Sequence, residues 1–111
     1  MARKLFTKEE VILCTYAAIF DENDFGGISK IHNLTKRSLA SIKMKIQNIA
    51  SMLDEERIKR YSNVKPLTGK TTGESGRRTN WDIVKIYINK PKDVFLKECN
   101  KIINVSKEAK I

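Results

Sequence analysis

Between Ile28 and Leu53 the apolar residues recur with helical spacing, and nothing else in the chain constrains its fold as strongly. Leu39, Ile42, Ile46, Ile49 and Leu53 are three or four positions apart, so they line one side of a helix. Ser38 stands just before them as an N-cap. At ~100° per residue, Ala40, Ser41, Met44, Gln47, Asn48 and Ser51 fall on the opposite side, with Lys43 and Lys45 flanking them. Upstream, Ile28, Ile31 and Leu34 mark a shorter helix over 29–34. The stretch therefore predicts a short helix, a tight turn and a longer helix. It holds no Asp or Glu between Phe25 and Leu53, but it contains Lys30, Lys36, Arg37, Lys43 and Lys45. A ridge of small and amide side chains flanked by cations suits a DNA groove, because the ridge can approach base edges while the lysines reach phosphates.

The rest of the chain reads as support for this unit. Thr7 and Glu10 have the spacing of a capping box, and Phe6 can staple onto Val11. The helix they open is apolar around most of its circumference from Val11 to Phe20, which predicts a central position. Asp21, Glu22 and Asp24 lack the alternating ligands and closing Glu of a calcium loop, so this cluster and the Gly26-Gly27 pair are read as a solvated turn. His32, with no nucleophile or carboxylate motif beside it, is expected at the surface or its boundary. Asp54 to Arg60 either extends the long helix or forms a separate turn.

Pro66, Gly69, Gly73 and Gly76 make 61–80 a long loop. Gly69-Lys-Thr71 is similar to the end of a phosphate-binding P-loop, but Val64 stands where that motif needs Gly. Lys65, Lys70, Arg77 and Arg78 make the loop either an arm along a phosphate backbone or only a polar connection. Trp81 to Ile88 reads as a helix, with a strand as the alternative, and Trp81 as a core anchor. Pro91 opens a last helix, Lys92 to about Ser106.

With 111 residues, 41% hydrophobic and 32% charged, the chain has material for a single folded domain over 1–111. That domain divides into a helix-turn-helix core (6–60), the basic Gly/Thr-rich loop (61–80) and C-terminal helices (81–106). The fold class expected is mainly α: a trihelical helix-turn-helix bundle with the long loop and the C-terminal helices packed on it. The longest apolar stretch, Val11 to Phe20, is too short to span a bilayer, and no small-residue cleavage site follows the basic Met1-Ala-Arg-Lys4. A cytoplasmic protein without membrane partners is expected. Cys14 and Cys99 lack a Cys-x-x-Cys partner; both thiols are expected to be reduced and at least partly buried. One His and these two Cys make no metal site, and no cofactor is called for. The net charge of +9, with 11 basic and 5 acidic residues over 61–111, favours a polyanionic partner.

Two resemblances follow from the motifs. Phe6-Thr-Lys-Glu-Glu10 followed by Ile28-x-x-Ile31-x-x-Leu34-x-x-Arg37-Ser38-x-x-Ser41-Ile42 resembles Myb-type and related helix-turn-helix domains. The second covers roughly Phe6 to Ile103. There the chain resembles the N-terminal, non-catalytic region of bacterial restriction-type HNH endonucleases. The positions that carry it are Arg37, Ser38, Ser41, Ile42, Met44, Lys45, Ile46 and Asn48, then Leu53-Asp54, the Ser62-Asn63 and Gly69 segment, and Trp81. The resemblance implies DNA reading through Arg37, Ser38, Ser41, Met44, Lys45 and Asn48. It does not imply cleavage, since the His-Asn-His set of the nuclease half is missing and His32 is the only histidine.

The function expected is a non-catalytic double-stranded DNA-binding module that reads DNA with the 38–53 helix, as a regulator or the recognition part of a restriction-related defence system. The nucleic-acid-binding residues expected are Lys36, Arg37, Ser38, Ser41, Lys43, Met44, Lys45, Gln47, Asn48, Arg77 and Arg78. The alternative is a phage- or mobile-element-encoded inhibitor or adaptor that binds a protein and blocks its nucleic-acid site. An exposed Met44 would serve either role. An enzyme is not expected, because the motifs assemble no nucleophile–base pair or metal cluster.

Overall fold

Thr7 accepts a hydrogen bond from the Glu10 N–H at 3.2 Å while Glu10 accepts one from the Thr7 N–H at 2.6 Å, and this closed capping box starts α1, Lys8–Ile19. The computed structural model describes residues 6–62, 64 and 81–109, with side chains to residue 104. Within them α1 is followed by a 3-10 turn (Glu22–Phe25), α2 (Ile28–Thr35), α3 (Leu39–Glu55), α4 (Trp81–Tyr87) and α5 (Lys92–Ala109), with no strand among the described residues. The molecule is mainly helical, as its periodicities predict, and the strand alternative for 81–88 is not adopted.

Every residue of α1 from Glu10 to Ile19 is buried, and the helix touches α2, α3, α4 and α5. A helix apolar on all sides has nowhere to go but the middle, and the others pack around it. The Thr15 hydroxyl there is satisfied by donating to the Val11 carbonyl at 2.6 Å. Around the C-terminal end of α1 an aromatic group forms: Tyr16 meets Phe95 edge-on at 5.1 Å and Phe25 at 5.9 Å. Cys14 and Cys99 are both free and buried, and burial pushes each thiol up to about 12.

The acidic segment after α1 forms a capped turn. Asp21 caps the 3-10 turn by accepting from the Asn23 N–H at 2.9 Å, and Asp24 accepts the Tyr16 hydroxyl proton at 2.6 Å. Gly26 and Gly27 follow with φ of 111° and 94°, and a Cβ on Gly26 would lie 2.7 Å from the Lys30 side chain. This left-handed corner redirects the chain into α2. No group of three metal-binding side chains occurs among the described residues, and no described helix is long and apolar enough to cross a membrane.

Asp54 to Arg60 does not form a helix of its own. α3 ends at Glu55, Arg57 takes a left-handed φ of 58°, and the Ile58 N–H returns to the Leu53 carbonyl at 2.9 Å. Val84 and Tyr87 fix α4 to the core, Phe95 and Cys99 fix α5, and Trp81 is half-buried against them.

Candidate nucleic-acid interface

The connection between α2 and α3 is a tight corner closed by hydrogen bonds. Lys36 turns left-handed with φ of 64° and donates its N–H to the His32 carbonyl at 2.7 Å. The Arg37 N–H donates to Thr35 Oγ1 at 3.1 Å, and the Arg37 carbonyl lies 2.7 Å from His32 Nδ1. A carbonyl only accepts, so Nδ1 carries the proton, and His32 serves to close the turn. Ser38 then caps α3, accepting from the Ser41 N–H at 3.2 Å and donating its hydroxyl to Ser41 Oγ at 3.0 Å.

Arg37 does not face outward. Its guanidinium grips Glu10 with Nε on Oε2 at 2.9 Å and Nη2 on Oε1 at 3.0 Å, and it lies 3.8 Å above the Phe6 ring. The side chains are 9% and 1% exposed, so this is a buried bidentate pair. Burial alone would raise the Glu10 pKa; the Arg37 hydrogen bonds and charge and the Thr7 N–H outweigh it and hold the carboxyl below its ordinary value. Lys45, expected to flank the exposed ridge, is 8% exposed with its ammonium 5.3 Å from the same Phe6 ring. Burial lowers its pKa. Both cations belong to the joint between α1 and α3, because Phe6 offers a ring face and Glu10 a carboxylate in one place.

Turning Lys45 inward rotates the exposed side of α3. Leu39, Ala40, Ser41, Lys43 and Met44 are exposed and Gln47 is half-buried. Leu39, expected in the core, is 44% exposed, and Met44 is 58% exposed. Asn48 is only half-buried, yet its Oδ1 is buried without a hydrogen-bond partner, and Ser51 is 5% exposed. From Ile49 to Leu53 the helix is buried on every side. Apart from Asp54 and Glu55 at its end, the open part is the N-terminal half, where Lys36, Ser38, Ser41, Lys43 and Met44 come together with Gln47 at the far edge. Lys30 of α2 is exposed as well, and neither α2 nor α3 has an acidic residue in its first turn. Arg77 and Arg78, with nearly all of the expected basic loop, lie outside the described residues.

The exposed Leu39 and the Glu10–Arg37 joint are what sequence reasoning missed. Glu10 was accounted for by its capping box, and no spacing rule links residues 27 positions apart. Comparison with protein-family models, curated proteins and solved structures found no match.

Proposed function

We propose that the chain is a non-catalytic double-stranded DNA-binding module in which α2, the Lys36–Ser38 corner and α3 act as a helix-turn-helix. The observation that carries this reading is the open N-terminal half of α3, free of acid and edged by Lys36 and Lys43, on a helix buried from Ile49 to Leu53. Helix-turn-helix proteins read bases with the N-terminal residues of the second helix, which is the part left exposed in α3. Gln47 offers an amide fork of the kind that pairs with adenine, and Met44 an apolar tip for a thymine methyl. Lys30, Lys36 and Lys43 supply the sequence-independent attraction to phosphates, which the positive end of the α3 dipole reinforces. This reading is narrower than the sequence expectation, since Arg37 and Lys45 hold the reading helix in place rather than touch DNA. A regulator or the recognition part of a restriction-related system would use such a module in the same way.

The exposure of Leu39 and Met44 favours a second reading, an adaptor that seats these apolar side chains on another protein and blocks its nucleic-acid site. Salt separates the two. For duplex DNA held by three lysines, the log of the binding constant should fall with the log of salt concentration at a slope of about −3 or steeper. A mixed-sequence duplex titrated by fluorescence anisotropy at several salt concentrations measures it. A slope near zero, or no binding at low salt, refutes the DNA reading.

A further inference from the structure

We infer that a cavity of about 620 Å³ at the C-terminal end of α1 binds a nucleotide, with the base stacked on Tyr61 and the phosphate held by Lys59 and Lys90. The cavity lies between the last residues of α1, the segment after α3, and the corner joining α4 to α5. It is remote from the α3 surface: Glu10, which anchors the helix-turn-helix corner, and Phe20, which lines the cavity, are about 15 Å apart along α1. Its size falls within the roughly 300–1,000 Å³ usual for small-molecule sites.

The walls combine aromatic rings with cations. Phe20 and Tyr61 are stacked at 5.6 Å with planes 7° apart, and Tyr87 lines the same space. Tyr61 is 63% exposed, so most of this large ring is available to a further stacking partner. Each ring carries a lysine: Lys59 is 5.2 Å from the Tyr61 centroid, Lys90 5.4 Å from Tyr87 and Lys92 5.4 Å from Phe20. Lys92 is already matched by Asp24 at 3.8 Å, whereas Lys59 and Lys90 form no ion pair among the described residues. Ammonium groups resting on ring faces are positioned to leave them for a phosphate while a base takes the face. An aromatic body carrying an anion satisfies both halves of this lining, and a nucleotide is the common molecule of that kind.

Tyr61 is held in place rather than left loose. Its N–H and that of Ser62 both donate to the Ile19 carbonyl, at 2.6 and 3.0 Å, and the Ser62 hydroxyl donates to the Ala18 carbonyl at 2.5 Å. Arg60 braces the segment from behind, gripping Asp54 at 2.8 and 3.1 Å and donating to Ser62 Oγ and the Val64 carbonyl. The stacking platform is therefore built before any ligand arrives, which limits the ordering cost of binding.

The same chemistry is offered by a free nucleotide and by an unpaired nucleotide of a single strand. Amide spectra of the full chain titrated with adenosine monophosphate, adenosine, inorganic phosphate and single-stranded oligo(dA) test the inference and tell the sources apart. Adenosine monophosphate should move the signals of Tyr61, Tyr87 and Lys90, and adenosine or phosphate alone should bind several-fold more weakly. Tyr61→Ala should weaken binding about tenfold, the loss expected for one stacked base, and Tyr61→Phe should retain it. Lys59→Gln combined with Lys90→Gln should reduce adenosine monophosphate to the level of adenosine. Tighter binding of oligo(dA) than of the mononucleotide assigns the site to single strands, and the reverse assigns it to free nucleotide. The inference is overturned if neither ligand moves these signals, if phosphate alone binds as well as the nucleotide, or if Tyr61→Ala binds like the unaltered protein. Loss of duplex binding in Lys43→Ala with nucleotide binding intact leaves this site standing, so the two proposals fail separately.

Discussion

Arg37 reaches back to Glu10 with hydrogen bonds at 2.9 and 3.0 Å in a place where the two side chains are largely shielded from water. Removing one partner of such a pair leaves the other charge buried, so Arg37→Ala should cost about 3–5 kcal/mol of stability. Urea unfolding measures this, and a loss below about 1 kcal/mol would mean the pair behaves as an ordinary surface bridge. The pair also dictates a pH dependence. The Glu10 pKa is lowered in the folded state, so its contribution is complete above the unfolded carboxylate value of about 4.3 and is lost as pH falls through the folded value. Stability should therefore drop on acidification below about pH 4.3, and Glu10→Gln should flatten that part of the profile. A profile of equal steepness in Glu10→Gln would assign the acid sensitivity to other carboxylates.

At the scale of the element, α3 has two lysines two positions apart in different surroundings: Lys43 is exposed and Lys45 is buried against Phe6. Lys43→Ala should lower affinity for all duplexes alike and leave stability within about 0.5 kcal/mol. Lys45→Ala should do the reverse, lowering stability by about 1 kcal/mol or more through the lost packing of its stem while the folded protein binds DNA as before. Thermal melts and anisotropy on the two variants decide it, and swapped behaviour would show that the open side of α3 has been misassigned. Much of this element was legible in the sequence. The Ser38 cap, the inward Ile42, Ile46, Ile49 and Leu53, and the exposed Ser41 and Met44 follow from a period of 3.6 and from capping chemistry. The inward turn of Lys45 was not legible, because a lysine's stem is apolar and its head polar, and only a neighbour as specific as Phe6 decides which wins. Leu39 shows the converse: its spacing is that of the core, yet in the first turn of α3 it is exposed.

In the molecule as a whole, α1 is the shared core, and its two ends carry different surfaces. The Glu10 end fixes the α2–α3 corner, and the Phe20 end lines the aromatic cavity. The central position of α1 could be read from its lack of a polar side, whereas the cavity could not, since Tyr61, Tyr87 and Lys90 are brought together only by the paths of the connections. A net charge of +9 favours polyanionic partners without choosing a surface, so what distinguishes the proposed interface is its location. Mapping amide shifts of the full chain on titration with a mixed-sequence duplex tests that location directly. The largest changes should fall on Lys36, Ser38 to Met44 and Gln47, with Ile49 to Leu53 and the buried face of α5 unmoved. Changes centred on α4 and α5, with 36–47 undisturbed, would contradict it.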